Sequence, residues 1–292
     1  MKTEALELSI QLRQLAYLIE VAAGPNWTDA ADRLGISQPA LSQSMHELER
    51  RMGTQLFEAL GRRRVLTSEG WQVVGFARSV ISATEDLQSD LRSSGPNLHG
   101  RLRVGMIDAA SLYVLPDSIR QFRRTYPDVE LDLTVAPSTP LLNGLRELEY
   151  DVVFVTGPVD SPDLESIVIH EEPLFLYGSI AGDPATGDWV MYPGTSRTRR
   201  VIDRYFVDAG WTPRIILESS NPAVLSQMVG MGFGWSILPA AAVDGSIGSL
   251  DKYRPDPVAV RSLCAVWRRS ADGNPRMLAF RDLATTAVSV IS

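Results

Sequence analysis

The sequence has little cysteine and no long apolar run. Cys264 is its only cysteine among 292 residues, so the chain forms no internal disulfide, which agrees with a reducing compartment. The residue lies in the apolar stretch LCAVW, which favours a buried, inert thiol over a nucleophile. No apolar stretch approaches the roughly 20 residues of a membrane span. The acidic N-terminal segment lacks the apolar core of a secretory signal, so we expect a cytoplasmic protein.

Residues that bind metals or cofactors are also few. The sequence has three histidines, which are far apart: His46, His99 and His170. No group of His, Cys and Asp has the spacing of a metal site. The stretch GMGFG at 230–234 differs from the phosphate-binding pattern GxGxxG after a first strand, and it favours a tight chain reversal. We therefore expect no metal, no cofactor and no enzymatic activity.

Positive charge is scarce overall but concentrated in one segment. The net charge of −7 argues against a generally basic, nucleic-acid-binding surface. Residues 1–95 hold 10 Lys and Arg against 12 Asp and Glu, and neither half of the chain is basic. Residues 50–64, however, carry five arginines against a single acid, Glu58. Any affinity for DNA would therefore come from one edge of the N-terminal region.

A helix-turn-helix pattern precedes this basic segment. Asn26 is a typical cap for a short helix over residues 28–34, and Gly35 is typical of the residue that ends one. Ser37 caps the next helix and Pro39 lies in its first turn, where a missing N–H is tolerated. Two helices joined by so short a turn predict a helix-turn-helix unit.

The second helix, in ISQPALSQSMHELERRMG at 36–53, has two different faces. Its apolar residues follow a helical spacing and predict a buried stripe: Leu41, Met45, Leu48 and Met52. Five other residues occupy another face near the helix N-terminus: Gln38, Pro39, Ser42, Gln43 and His46. Amide, hydroxyl and apolar groups there are suited to base edges in a major groove. An ordinary amphipathic helix with a solvated polar face explains this segment equally well.

Three arginines follow at a glycine turn in LFEALGRRRVLTSEG, namely Arg62, Arg63 and Arg64. They lie between the apolar residues Leu60 and Val65, which predicts a small basic hairpin, or wing. Arginines in a wing contact phosphates and fix the position of the protein without reading the sequence. A run of charge is usually a solvated surface, but its place directly after a helix-turn-helix favours phosphate contact.

A long helix is predicted over residues 68–93. Its apolar residues recur at the spacing of a coiled-coil seam: Val73, Ala77, Val80, Thr84, Leu87 and Leu91. An exposed helix with such a seam needs a partner, and we expect a second copy of the chain. The alternative is that the seam packs on the chain's own C-terminal domain. The turn-rich stretch SSGPNLHG at 93–100 predicts a linker after the helix.

Strand and helix patterns alternate from residue 101 onward. The order βαβαβ predicts a parallel sheet with helices on its faces, and a second unit of the same kind begins near residue 173. The run LCAVWRR and the C-terminal helix are expected to return and complete the first unit. Two small α/β subdomains joined by two crossings form a hinged clamp around a crevice, where a ligand can bind.

The segment AADRLGISQPALSQSMHELERRMGTQLFEALGRRRVLTSEG resembles the LysR-type transcriptional regulators, and the likeness extends over essentially the whole chain. YPDVELDL, YDVVFV and MVGMGFGWSILP are similar to landmarks of the family's effector domain. The resemblance implies an all-α winged helix-turn-helix, a dimerising linker helix and a C-terminal α/β domain like a periplasmic binding protein, built from two Rossmann-like subdomains. The expected ranges are 1–67, 68–93, a hinge at 94–100, and 101–292 with subdomain I at about 101–160 and 269–292 and subdomain II at about 161–268.

The resemblance also implies what the protein binds. Such proteins usually act as dimers or tetramers on double-stranded DNA near a promoter and respond to a small metabolite. Because a two-fold dimer presents two recognition helices about one helical turn apart, we expect an interrupted palindrome as the operator.

Candidate effector-binding residues lie at the predicted carboxyl ends of strands. They are polar or charged and come from both subdomains: Asp108, Ser111, Ser138, Thr139, Thr156, Thr195, Ser196, Arg197 and Glu218. An ionised Asp108 would repel a carboxylate, so the two acids favour a ligand with donors or a cationic group. An anionic end could lie at the Ser/Thr turns with Arg197 as counter-charge. Each hydroxyl is equally explained as a plain helix cap, and the arginine as a solvent-facing residue.

Two other functions compete with a ligand-responsive regulator. One is a small-molecule-binding protein or enzyme of the periplasmic-binding-protein-like fold with a helical extension, which the lack of a signal and of a metal or catalytic cluster disfavours. The other is a DNA-architectural protein, which would leave the C-terminal clamp unexplained.

Overall fold

The computed structural model of the chain describes residues 10–24, 26–60, 63–92, 98–178, 182–243 and 250–288. It divides into two compact units, residues 1–94 with 147–149 and residues 95–146 with 150–292. Within the described residues, no helix is both long enough and apolar enough to cross a membrane.

The N-terminal unit is helical with one short hairpin. Its elements in chain order are α1 (Leu12–Ala23), α2 (Trp27–Arg33), α3 (Gln38–Met52), β1 (Phe57–Leu60), β2 (Arg63–Leu66) and α4 (Ser68–Arg92). The strands β1 and β2 pair antiparallel. The predicted winged helix-turn-helix fold is therefore confirmed.

The local signals read from the sequence account for the turn between α2 and α3. The Asn26 side chain accepts a hydrogen bond from the Asp29 amide at 2.8 Å, and the Ser37 hydroxyl accepts one from the Ala40 amide at 3.4 Å. Gly35 has φ +66°, in the left-handed region where a side chain is disfavoured. These contacts satisfy free N–H groups at both helix starts and fix the short turn.

A single core holds the four helices together. The stripe predicted on α3 lies in it, with Leu41, Met45 and Leu48 fully buried and Met52 half-buried. Ala30 and Ala31 of α2 are buried as well, because their small side chains let α2 pack closely.

The helix α4 packs differently from its predicted seam. Val73 and Ala77 are buried in the core of the N-terminal unit, where α4 packs on α1, so they are not available to a partner. Val80 is partly buried on the same core, whereas Leu87 is 58% exposed. The seam prediction is thus wrong for its first two positions, because the first turns of α4 cover the helix-turn-helix core. The side chain of Leu91 lies outside the described residues.

The C-terminal unit alternates strands and helices. Its elements are β3 (Gly100–Met106), α5 (Pro116–Thr125), β4 (Val129–Val135), α6 (Ser138–Arg146), β5 (Val152–Thr156), β6 (Leu164–Tyr177), β7 (Asp188–Met191), α7 (Arg197–Ala209), β8 (Arg214–Glu218), α8 (Pro222–Gly230), β9 (Ser236–Pro239), β10 (Ala259–Arg268) and α9 (Pro275–Val288). A π-helical turn, Ala110–Val114, follows β3.

Two sheets form the framework of this unit. The larger has the order β4-β3-β5-β10-β6-β9, and the smaller consists of the parallel strands β7 and β8. The strands β4, β3 and β5 run parallel, as the βαβαβ pattern predicts, whereas β10 runs antiparallel to both β5 and β6. Parallel strands bring their carboxyl ends to one edge of the sheet, where polar loops can meet.

Two hydrophobic cores lie on this framework, and β6 and β10 extend through both regions. One core includes Leu263–Trp267 of β10 and the start of β6. The other includes Leu174–Tyr177 at the end of β6 together with residues of β7 and β9. Two continuous strands therefore join the two halves of the domain, and the residues near the middle of β6 and near the start of β10 lie between the cores.

Candidate DNA-binding and ligand-binding sites

The polar face predicted on α3 is solvent-accessible. Gln38, Pro39, Gln43 and His46 are exposed, and Ser42 is half-buried. Four of them lie in the first half of α3 and His46 lies just past its midpoint, and the helical period separates all five from the buried stripe. The face is therefore accessible to a partner as large as a DNA duplex.

The hairpin β1–β2 is fixed against α3 by one acid. A carboxylate oxygen of Glu49, Oε1, accepts hydrogen bonds from the Leu56 and Phe57 amides at 2.9 and 3.1 Å. On the other strand, Arg64 lies with its guanidinium 5.5 Å from the ring centre of Trp27 and Nη1 3.5 Å from His46 Nε2. The exposed Arg64 thus lies beside the polar face of α3. Arg62 and the side chain of Arg63 lie outside the described residues.

Two arginines counted in the basic segment are paired with an acid just outside it. Glu47 accepts hydrogen bonds from Arg50 (2.6 and 2.9 Å) and from Arg51 Nε (2.7 Å). Hydrogen bonds from Arg50, and then from Arg51, lower the pKa of Glu47 to about 2. The positive charge of the segment is consequently smaller than the residue count indicates. The spacing of three and four residues along a helix could have predicted these pairs.

A groove of about 480 Å³ runs beside this face, between α1 and α3. It is lined by Gln43 and His46 of α3 and, from α1, by Arg13, an exposed cation that sequence reasoning did not select. Exposed cations beside this face therefore come from α1, α3 and the hairpin.

The C-terminal unit contains a cavity of about 500 Å³. Its lining comes from the segment after β3, the start of α6, the end of β5, the segment between β7 and α7, the residues before α8 and the start of β10. Seven of the predicted effector-binding residues line it: Asp108, Ser138, Thr139, Thr156, Thr195, Ser196 and Arg197. Asp108, Ser138, Thr139 and Thr156 come together because β3, β4 and β5 end at one edge of the larger sheet, whereas the other three follow β7 of the smaller sheet.

Two predicted residues are not part of the lining. Ser111 lies in the π-helical turn and its hydroxyl donates to the Asp108 carbonyl at 2.8 Å. Glu218 is exposed at the end of β8 and lies 3.4 Å from Arg199 Nη1. Neither lines this cavity, since a position near a strand end does not determine which way a side chain points, and a role of either in effector binding stays a prediction.

A chain of hydrogen bonds connects the polar lining. The Thr156 amide donates to the Ser138 hydroxyl at 3.3 Å, and the hydroxyls of Thr156 and Thr198 lie 3.1 Å apart. Thr198 in turn accepts from Arg261 Nη1 at 2.9 Å. This network runs from the start of α6 through β5 and α7 to β10, so it connects both halves of the domain.

Arg197 lines the cavity but uses much of its guanidinium on the backbone. Nε donates to the Thr156 carbonyl at 2.7 Å, and Nη2 donates to the Pro158 carbonyl. Burial, followed by the nearby Arg200, lowers the pKa of Arg197. Arg197 therefore fixes the end of β5, and Arg200, exposed on the same lining, forms no ion pair within the described residues.

The innermost charged residue is one that sequence reasoning missed. Arg261 is 1% exposed and lies directly opposite Glu172, 4% exposed, on the neighbouring strand. Burial, the largest single influence, would lower the pKa of Arg261, but Glu172 and Tyr192 together outweigh it and the pKa is raised. Tyr192 also lines this end, and burial raises its pKa to about 12. A lone arginine within the apolar strand sequence VAVRSLCAVW was the available signal.

The N-terminal unit is a winged helix-turn-helix with an exposed polar face, and the C-terminal unit is an α/β domain with polar groups in the lining of its cavity. These features define a class of DNA-binding proteins with a ligand-binding domain. Comparison with protein-family models agrees. Residues 12–71 match the helix-turn-helix of bacterial regulatory proteins of the lysR family, and residues 96–289 match the LysR substrate binding domain. The chain belongs to the LysR family of transcriptional regulators, which are not enzymes.

Individual relatives cover nearly the whole chain. It is 31% identical over 278 residues to YfeR of Shigella flexneri, described as an uncharacterized HTH-type transcriptional regulator, covering 90% of this chain and 89% of that protein. It is 27% identical to the HTH-type transcriptional regulator CbbR of Rhodospirillum rubrum, covering 82% and 83%.

Solved structures show the same fold. A full-length OxyR variant of Pseudomonas aeruginosa is 25% identical, with a TM-score of 0.69 over 95% of this chain and 97% of that one. The LysR-family regulator CbnR in complex with its target DNA is 23% identical, with a TM-score of 0.68 over 95% and 100%. The predicted fold class is thereby confirmed.

Proposed function

We propose that the protein binds an interrupted palindrome in operator DNA as a homo-oligomer, and that a small molecule in the cavity of the C-terminal unit modulates this binding. The observation that carries the proposal is the exposed polar face of α3 beside the hairpin, on a chain whose other unit holds a cavity with polar groups in its lining.

For the DNA contact, α3 offers the groups that read bases. Gln38 and Gln43 can pair with adenine through two hydrogen bonds, and Pro39 can contact a thymine methyl. Arg64 is positioned beside this face to contact a phosphate, which orients the helix without reading the sequence. Changes at Gln38, Gln43 or Pro39 should therefore affect base recognition, whereas a change at Arg64 should affect phosphate binding.

For the ligand, the cavity combines an apolar wall with converging polar groups, as small-molecule sites do. Binding there would modulate DNA binding only through different affinities for two arrangements of the protein, with a coupling of about 1–3 kcal/mol in typical cases. The network from Ser138 to Arg261 connects both halves of the domain, so a ligand touching it would bias their arrangement.

Peroxide sensing is not favoured, although OxyR is among the structural neighbours. Cys264 is the only cysteine of the chain and is buried. Burial, followed by the charge of Glu171, raises the pKa of the thiol, which reduces the reactive thiolate form. The proposal is therefore confined to a reversibly bound small molecule.

The test is selection of genomic fragments by the purified full-length protein, followed by binding measurements on the enriched sequence. Gln43→Ala should lose about 1–3 kcal/mol for one base pair and relax discrimination there. Gln121→Ala, an exposed glutamine on α5, is the matched control and should bind like the wild type. Enrichment of no sequence, or equal effects of both changes, would contradict the proposal.

A further inference from the structure

The inner end of the cavity is built around a buried ion pair. Arg261 Nε donates to Glu172 Oε2 at 2.6 Å, and Nη1 donates to the Thr198 hydroxyl at 2.9 Å. Arg261 and Glu172 are Cα partners on β10 and β6, the strands that join the two halves; Glu172 lies near the midpoint of β6 and Arg261 near the start of β10. The backbone of both strands therefore fixes the pair.

Two polar atoms at this end keep hydrogen-bonding capacity. Arg261 Nη2 lies 2.5 Å from the same Glu172 oxygen, so the two atoms attract each other by charge. None of its hydrogens is aligned with that oxygen, and Nη2 therefore has no hydrogen-bond partner among the described residues. The hydroxyl of Tyr192, a residue 3% exposed, interacts with the Arg261 guanidinium but has no acceptor for its own hydrogen among the described residues. Both residues line the cavity. Buried polar groups are normally partnered in proteins, and a bound ligand is one way to supply the partner.

The charges around these atoms select the kind of partner. Glu172 already neutralises Arg261, and Asp108 adds a further negative charge to the lining. Glu172 and Asp108 both act on the nearby Tyr113, which shows that the two acids share this region. A carboxylate placed against Arg261 would be repelled by both acids and would lose its hydration. An uncharged oxygen accepts from the guanidinium without this repulsion.

We propose that Arg261 and Tyr192 together bind an uncharged oxygen of the effector, a hydroxyl or a carbonyl, and that this end of the cavity excludes a second carboxylate. The inference rests on the proposed ligand-binding function and specifies the chemistry of the ligand. An anionic group of the same ligand is served by Arg200, which lines the cavity and is unpaired within the described part of the chain. The effector class is thus a small hydroxy- or oxo-monocarboxylate.

The first test needs no ligand. Tyr192→Phe removes a hydroxyl whose hydrogen has no acceptor among the described residues, so the unfolding temperature of the full chain should stay the same or rise. A fall of more than about 2 °C would show that the fold itself uses the hydroxyl, and would overturn the proposal.

The second test uses a panel of probes on the full chain: butanoate, 4-hydroxybutanoate, 4-oxopentanoate and succinate. Calorimetric titration should give the hydroxy and oxo acids affinities about 3- to 10-fold higher than butanoate, the range expected for one added hydrogen bond. Succinate, which has a carboxylate in place of the uncharged oxygen, should bind more weakly than either.

Variants assign this preference to the two residues. Tyr192→Phe and the paired change Arg261→Met with Glu172→Met should abolish the advantage of the oxygenated acids over butanoate. Tyr205→Phe is the control, because its hydroxyl accepts from Arg254 Nη2 at 2.7 Å and does not line the cavity. It should leave the preference unchanged.

Three results would overturn the inference: succinate as the tightest probe, no binding by either oxygenated acid, or a preference that survives both sets of changes. These results would leave the selection of operator DNA intact, so failure of the inference and failure of the proposed function are distinguishable. Loss of DNA selection with the oxygen preference retained would contradict only the proposed function.

Discussion

Removing one member of the buried pair should destabilise the C-terminal unit strongly. Glu172→Gln leaves Arg261, which is 1% exposed, without its counter-charge. Breaking a buried ion pair in this way costs about 3–5 kcal/mol. For a unit of this size the loss corresponds to a fall in the unfolding temperature of about 6–20 °C. Arg261→Met with Glu172→Met should recover most of the loss, because two apolar side chains need no counter-charge.

The chain contains a matched control for this prediction. Arg101 and Glu130 are also Cα partners on neighbouring strands, with Nη2 and Oε1 2.9 Å apart, but their side chains are 53% and 64% exposed. Glu130→Gln should therefore cost only about 0.2–1 kcal/mol. Scanning calorimetry of the full-length proteins compares the variants. Equal shifts for Glu172→Gln and Glu130→Gln would refute the reasoning, because burial would then make no difference.

Three further predictions concern the N-terminal unit. Glu47→Gln should free Arg50 and Arg51 for phosphates, raise affinity for random DNA and steepen its salt dependence by up to about two contacts in anisotropy titrations. Because the pKa of Glu47 is lowered to about 2, its ion pairs are fully formed at neutral pH and are lost only as the pH falls from about 4.5 toward 2. The effect of Glu47→Gln on DNA affinity should therefore be constant between about pH 6 and 8. Arg64→Ala should weaken binding to cognate and random DNA alike and flatten the salt slope by about one contact, whereas a loss confined to cognate DNA would contradict a phosphate role. Leu87→Asp should dissociate the proposed oligomer, as measured by light scattering, whereas Gln88→Asp at the exposed neighbouring position should leave it intact. An unchanged mass for Leu87→Asp would exclude this part of α4 from the interface.

The helix-turn-helix could be predicted from sequence because its determinants are local. Asn26, Gly35 and Ser37 each act within a few residues, and the stripe of α3 follows from the helical period. The surface against which the apolar residues of α4 pack could not be predicted in this way. Val73 and Ala77 follow the same spacing whether they pack on α1 or on a partner, so only the fold distinguishes the two.

The cavity was predicted in part for a similar reason. Hydroxyls such as Ser138 and Thr195 follow strand patterns and could be placed near the carboxyl ends of strands, where the cavity lies. Arg261 and Glu172 are 89 positions apart, and nothing local indicates that they face each other. Their pairing depends on the register of two long strands, which includes an irregularity at Leu263 and Cys264. Such a register cannot be derived from single residues.

The pairing of Arg50 and Arg51 with Glu47 has a consequence for how such a protein would search a genome. Random sites outnumber an operator by about a million-fold or more, and they compete through phosphate contacts alone. A helix that pairs two of its own arginines with one carboxylate makes fewer of these contacts, so each random site retains the protein for a shorter time. Fewer molecules are then sequestered along the chromosome. A regulator of net charge −7 can in this way occupy its operator at a low copy number.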